Sequence, residues 1–300
     1  MRDASRFITS AMDKISLHAH YFPARHSLYI RTIDVPNPIG QMLFLHASAV
    51  HSGFYVPFAI TLAQANIRVW LPDLRGHGRS FGTSGHIRSF DDYVQDATLV
   101  WQHFKASSPH PVPTILAGES LGALIAAIAA QQEIRPHGLF LSSPALALHF
   151  NFPPHLGRYL WRLQHVVGRL HPMLPLPLRG VTHHPNITDL ITRDPLSTRY
   201  YTLAFLLQLL HAQHHLLRPE DIECPSLAIF SPDDPIVDTA TSSKCLEAKL
   251  SRGQIRFMDG TRHSVVADAP DRLAAAFLNW YRQSFTEFSV PTDSIPLNIE

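Results

Sequence analysis

Cysteine is nearly missing from the 300-residue chain: Cys224 and Cys245 are the only two, and they form no C-x-x-C pair. Two such residues build no disulfide framework, so a reducing compartment is expected. Charge is sparse too. Asp, Glu, Lys and Arg make up 16% of the residues, against about 25% in ordinary globular proteins. Net charge is +1, with no run of five like charges, which excludes the electrostatic footprint of a nucleic-acid-binding protein. Long hydrophobic runs are lacking as well. The most apolar helical stretch, Leu121 to Ala130, has about half the roughly 20 residues that a bilayer crossing requires, and Glu119 and Gln131 flank it. The first 14 residues, MRDASRFITSAMDK, contain acids and no apolar run of seven. No secretion signal is expected, and the expected location is the cytoplasm.

What is present is apolar and punctuated: 45% hydrophobic residues, 24 Pro and 14 Gly, ample for one large core and too apolar for disorder. Short apolar runs alternate with stretches of helical period, the pattern of an α/β fold with a mostly parallel central sheet flanked by helices. The expected strands are Leu28 to Ile33, Met42 to Leu45, Ile67 to Leu71, Thr114 to Ala117, Leu139 to Leu141, Leu227 to Phe230 and Ile255 to Met258. The expected helices are Phe54 to Ala65, Phe90 to Lys105, Leu121 to Gln132, Thr239 to Leu250 and Pro270 to Ser284. Between about Ala145 and Arg218 the alternation stops. No strand pattern occurs there, Leu156 to Leu170 has helical spacing, and Pro172, Pro175 and Pro177 break the chain. A core of residues 1–144 and 219–285, a helical cap insertion over 145–218 and a tail over 286–300 are therefore expected. Twenty histidines raise the question of a metal, with His183-His184 and His211-x-x-His214-His215 as candidates. Neither group has Cys or acids around it, so no metal and no cofactor is expected.

Gly118-Glu119-Ser120-Leu121-Gly122 follows an apolar strand and opens an Ala-rich helix, the context in which G-x-S-x-G forms a nucleophile elbow. The glycines are expected to permit a sharp turn and close helix packing, leaving the Ser120 hydroxyl above the sheet. A serine needs a base, and in this arrangement the partners come in the order Ser, acid, His. Of the 20 histidines only His263 lies beyond the candidate acids, in a loop after the last strand, so it is the expected general base. Asp233 and Asp234 both follow the strand Leu227 to Phe230. Spacing alone divides them evenly.

Together these residues resemble the α/β-hydrolases of the monoacylglycerol lipase and lysophospholipase group, over nearly the whole chain. The run Pro72 to Ser80, PDLRGHGRS, is similar to the family's D-x-R-G-H-G-x-S loop, and Gly85-His86-Ile87 with Phe90-Asp91-Asp92-Tyr93 to its continuation. Asp234-Pro235-Ile236-Val237 resembles the D-x-x-V acid motif, which selects Asp234, and Asp194-Pro195-Leu196 resembles a segment late in the cap. The chain departs from the pattern at His46-Ala47-Ser48-Ala49-Val50-His51-Ser52-Gly53-Phe54-Tyr55, where the family reads H-G-x-G-E-H-S-x-R-Y. Both glycines are alanine, Glu is Val50 and Arg is Phe54. By the resemblance, Ser48 and Leu121 provide the oxyanion N–H groups. A positive φ at Ala47 or Ala49 would store about 1–3 kcal/mol of strain.

The resemblance implies a serine hydrolase that cleaves carboxylic esters of fatty acyl chains, monoacylglycerols or lysophospholipids, through an acyl-enzyme at Ser120. Tyr159, Leu160, Trp161 and the Tyr200 to Leu210 run are candidates to line an acyl tunnel, to touch a membrane surface transiently, or simply to pack. Two other readings are weighed against this one. A peptidase or small-ester hydrolase fits the same fold, and the altered loop permits a non-catalytic ligand-binding relic. The intact Ser120, Asp234, His263 order speaks against the relic.

Overall fold

Strands β3 (Gly40–Leu45), β5 (Thr114–Glu119), β6 (Gly138–Ser142) and β9 (Ser226–Phe230) are buried at every position, as uninterrupted apolar runs must be when helices cover both faces of a sheet. The computed structural model describes residues 15–22, 27–108, 110–149, 173–175, 180–216 and 221–286. With β1 (Ser16–Phe22), β2 (Leu28–Asp34), β4 (Ile67–Pro72) and β10 (Gly253–Phe257), these strands form an eight-stranded sheet of order β1-β2-β4-β3-β5-β6-β9-β10. The β1–β2 and β2–β4 pairs are antiparallel, and β4 through β10 run parallel.

Helices α1 (Val56–Gln64) and α8 (Pro270–Ser284) cover one face, packing Phe58, Leu62, Leu273 and Phe277 on the sheet. Helices α2 (Asp91–Ala106), α3 (Leu121–Gln132) and α6 (Thr239–Glu247) cover the other. Their ends follow simple electrostatics: α2 starts with Asp91 and Asp92 and closes on His103 and Lys105. Helix α3 is buried along its first ten residues, and its small side chains let it lie close to the sheet. A Cβ on Gly118 would sit 2.4 Å from the Gly122 carbonyl carbon, and one on Gly122 would sit 2.1 Å from the Leu45 oxygen. Neither glycine has positive φ. Their smallness serves close approach, and the sharp turn falls on Ser120 itself.

The expected strands and helices of the core are present with ends shifted by a few residues. Edge strand β1 was not expected. Its alternation of Leu17, Ala19 and Tyr21 with Ser16, His18 and His20 puts no side on the core, and five of its seven residues are exposed. The absence of strands between 145 and 218 is corrected. There β7 (Met173–Pro175) and β8 (Tyr200–Thr202) form a separate two-stranded antiparallel sheet beside α4 (Pro185–Arg193) and α5 (Leu203–His211). Three-residue strands are too short to display a period, and the nearest paired residues, Pro175↔Tyr200, lie 25 positions apart in the sequence. The helix expected over Leu156 to Leu170 and the tail over 286–300, apart from Thr286, lie outside the described residues.

Candidate active site

Each chemical segment leaves the carboxyl end of a parallel strand, where α/β sheets place their ligand crevices. Ser120 follows β5 and precedes α3 with φ 53° and ψ −111°. This left-handed backbone is strained for any residue with a Cβ. It is held by Ser120 N–H to Ser142 O (2.9 Å) and by Leu124 and Ala145 N–H to Ser120 O (3.0 and 3.2 Å). His263 lies in the loop between β10 and the short helix α7 (Val265–Asp268). Its Nε2 is 2.8 Å from Ser120 Oγ and its Nδ1 is 2.8 Å from Asp234 Oδ2. With Nδ1 protonated, the ring accepts from the serine hydroxyl and donates to the carboxylate.

Asp234 follows β9, and its side chain is fully buried. Its second oxygen accepts from the N–H groups of Ile236 (2.8 Å) and Val237 (2.9 Å), which fixes the carboxylate by backbone rather than by a mobile cation. Asp233 is exposed. Ser231 Oγ donates to Thr261 O at 2.6 Å and ties the acid loop to the histidine loop. Burial alone would lower the His263 pKa, but the hydrogen bond to Asp234 and the negative charges of Asp234 and Glu119 outweigh it and hold it above the ordinary value of 6.5.

The loop after β3 faces the same point. Ala47 N–H donates to Tyr55 Oη (3.0 Å) and Ala49 N–H to Tyr201 Oη (2.6 Å). Between them, among the described residues, no acceptor takes the N–H of Ser48, nor that of Leu121 at the start of α3. Of the two alanines that stand for glycine, only Ala49 has a positive φ, 66°. Its strain is confined by β8 and the turn before it: besides the Tyr201 contact, its carbonyl accepts from Thr198 N–H at 3.1 Å.

Tyr201, fully buried, also reaches His77 Nε2 at 2.9 Å, and His77 Nδ1 lies 3.1 Å from Arg75 O. A consistent proton order runs from Ala49 N–H to Tyr201 and from Tyr201 O–H to His77. Burial pushes the His77 pKa down to about 4, so the imidazole is neutral and available as acceptor. His51 Nε2 meets Asp194 Oδ2 at 2.9 Å, a second tie between this loop and the end of α4. The sequence motifs contained His77 and Asp194, but their joint contact with the Ala47 to His51 loop was not legible in them. Tyr55 and Glu119 lay within the quoted motifs and Tyr201 within the Tyr200 to Leu210 run, but none was singled out for the hydrogen bonds it makes here. Glu119 left one signal, an acid at the end of an otherwise apolar strand.

Above Ser120 and His263 opens a cavity of about 510 Å³, whose walls include Val50, Phe54, Leu148, Ile187, Phe205 and Leu209. Phe205 and Leu209 belong to the Tyr200 to Leu210 run, while Tyr159, Leu160 and Trp161 lie outside the described residues. Among the described residues no group of three His, Cys, Asp or Glu is placed to hold a metal, and His183 Nδ1 accepts from Arg262 Nε at 3.4 Å. No helix among them is long and apolar enough to cross a membrane.

A mostly parallel sheet that presents an elbow serine, a histidine and a carboxylate in hydrogen-bonded order defines an α/β-hydrolase. Residues 36–270 match the Hydrolase_4 family, described as serine aminopeptidase, S33, and the chain belongs to that family. It is 27% identical over 246 residues to the monoacylglycerol lipase of Mycolicibacterium smegmatis, spanning 79% of this chain and 85% of the relative. It is 24% identical over 260 residues to phospholipase YtpA of Bacillus subtilis, spanning 83% and 99%. The crystal structure of Paleococcus ferrophilus monoacylglycerol lipase superposes with a TM-score of 0.71 at 21% identity, over 91% of this chain and 100% of that one, a likeness of fold. These relatives define the grouping expected from the sequence, α/β-hydrolases of the monoacylglycerol lipase type.

Proposed function

We propose that this protein is a serine esterase of fatty acyl esters, with Ser120 as nucleophile, His263 as general base and Asp234 as the acid that orients it. The observation that carries this reading is the Ser120–His263–Asp234 chain of two 2.8 Å contacts at the floor of an apolar cavity. As Ser120 Oγ adds to the ester carbonyl, its proton passes to His263 Nε2. Collapse of the adduct sends that proton to the leaving alkoxide and leaves an acyl-Ser120. A water then loses its proton to His263, attacks the acyl carbon, and the proton returns to Ser120 as the fatty acid departs. The N–H groups of Ser48 and Leu121 are assigned to the adduct's oxyanion.

Residues 145–218 are assigned as the cap that roofs the cavity, 1–144 and 219–285 as the catalytic core, and 286–300 as a tail. The preferred substrate class is a lipid ester, with monoacylglycerol ranked above lysophospholipid because the near-neutral chain offers no broad cationic surface. The monoacylglycerol lipase and phospholipase relatives support that class. The family's description as aminopeptidases makes a peptidase the second reading, and the cavity argues against it. A free ammonium needs an unengaged carboxylate. The acids among the described lining residues are Asp194, paired with His51, and Glu119, which receives hydrogen bonds from Tyr55 and Ser264.

A fluorophosphonate probe should label the wild type at Ser120. Ser120→Ala should lose both labelling and ester turnover while keeping its circular dichroism spectrum. Labelling that persists in Ser120→Ala, or turnover at the wild-type rate, refutes the assignment.

A further inference from the structure

Glu119 is 1% exposed and stands immediately before the elbow serine. A carboxylate at the end of a buried strand is costly unless its oxygens are filled, and here both are. Oε2 accepts from Tyr55 Oη at 2.8 Å and from Ser264 Oγ at 3.2 Å, and Oε1 accepts from Val266 N–H at 3.2 Å and Ser142 Oγ at 3.5 Å. Two of these donors are obligate. Among the described residues Val266 N–H meets no other acceptor, and Tyr55 Oη already accepts from Ala47 N–H, so its own proton goes to Glu119. Each carboxyl oxygen thus meets a committed donor, the pattern suited to an anion. The links lead to both halves of the reacting centre: through Tyr55 to Ala47, next to Ser48, and through Ser264 and Val266 to the loop that carries His263.

We propose that Glu119 is a positioning residue that ties the oxyanion loop and the His263 loop to the nucleophile elbow, and that its buried negative charge favours the imidazolium formed on His263 during acyl transfer. This inference rests on the esterase reading of the site. Glu119 and Asp234 are the negative groups that face His263. The other charged groups nearby are engaged elsewhere: Asp268 with Thr182 Oγ1 and the N–H groups of His183 and Arg262, Arg262 with His183 and the Gly180 carbonyl, and Asp194 with His51. The charge of Glu119 is among the causes that raise the His263 pKa, after burial, which lowers it, and Asp234. Burial raises the pKa of Glu119, and the hydrogen bond from Tyr55 and the charge of His263 oppose that rise.

The test compares wild type, Glu119→Gln and Glu119→Asp by NMR titration of the His263 imidazole, its signal identified by its loss in His263→Ala, and by steady-state hydrolysis of a p-nitrophenyl ester. Glu119→Gln removes the charge and keeps the shape. It should lower the His263 pKa by about half a unit or more and reduce kcat about tenfold or more, with KM changed less than kcat. Glu119→Asp keeps the charge and shortens the reach. It should hold the His263 pKa near the wild-type value and still lose kcat, since Tyr55 and Val266 are no longer spanned together. An unchanged His263 pKa in Glu119→Gln overturns the proposal. If Glu119→Gln does not fold, wild-type kcat in Glu119→Asp overturns it. Should the wild type neither turn over esters nor take the fluorophosphonate, the esterase reading fails, while the imidazole titration still decides what Glu119 does to His263.

Discussion

Ala49 and Ser120 both hold a left-handed backbone beside the site, and the strain at Ala49 can be read out by substitution. Removing the Cβ of Ala49 relieves about 1–2 kcal/mol and gives back about 0.5–1 kcal/mol through the greater freedom of the unfolded chain. Ala49→Gly is therefore expected to stabilise by about 0.5–1 kcal/mol, whereas Ala47→Gly, where φ is not positive, should destabilise by a similar amount. Urea midpoints that rank the two variants the other way contradict this. The raised pKa of His263 has a kinetic sign: under the proposed role of His263 as general base, which acts only when neutral, kcat/KM is expected to fall as pH drops through a value above 6.5. A profile whose acid limb has its midpoint below 6.5, or none between pH 5 and 9, would be inconsistent with that environment. At this scale the sequence was informative in part. Context and chain order pointed to the serine and histidine, and spacing alone left Asp233 and Asp234 equal. The resemblance to the family's acid motif selected Asp234, and in the fold burial, two backbone N–H groups and the contact with His263 Nδ1 set it apart from exposed Asp233. The contacts of Glu119 were not legible at all, because their donors lie 64 and 147 residues away.

At the scale of elements, β8 is three residues long, yet it locks the loop after β3 to the loop after β4. Tyr201 accepts from Ala49 N–H and contacts His77 Nε2, both fully within the fold. Tyr201→Phe keeps the ring and strands both partners. A buried polar group left unsatisfied costs about 1–3 kcal/mol, so this variant should lose stability in that range and lower kcat more than it raises KM, because the Ser48 N–H sits on the freed loop. Tyr200→Phe, at a side chain 51% exposed, is the control and should change neither. Equal effects of the two substitutions, read by urea unfolding and steady-state kinetics, would remove the latch. Such an element escapes sequence reasoning for a physical reason. A strand of the central sheet announces itself by an apolar run that both helical layers bury, as in TILAGE of β5, whereas β8 owes its place to one partner strand and to hydrogen bonds from distant loops.

On the scale of the whole molecule, the parallel order from β4 to β10 brings the ends of β3, β5, β9 and β10 to one rim, and residues from α4 and α5 close over it. The α/β class was readable from the sequence because alternating apolar strands and helices leave few other layered solutions. The cavity was not, since its walls combine the loop after β3 with α4 and α5, segments that no spacing rule connects. Its lining decides the last prediction. Where the family pattern has Glu and Arg, this chain places Val50 and Phe54, and both face the cavity. An acyl chain entering it leaves water for aliphatic and aromatic walls, and each buried methylene contributes about 0.8 kcal/mol, roughly fourfold in kcat/KM. Across p-nitrophenyl esters from acetate upward, kcat/KM should climb by about this factor per methylene until the 510 Å³ space is filled, then level off. Monoacylglycerols should outperform triacylglycerols, whose second and third chains have no room beside the first. Val50→Glu should lower the rate on the longer esters and leave acetate nearly unaffected, since a buried carboxylate penalises the tunnel and not the serine. Highest kcat/KM on acetate, or turnover confined to aminoacyl amides, would overturn the lipid-ester reading without touching the chemistry assigned to Ser120.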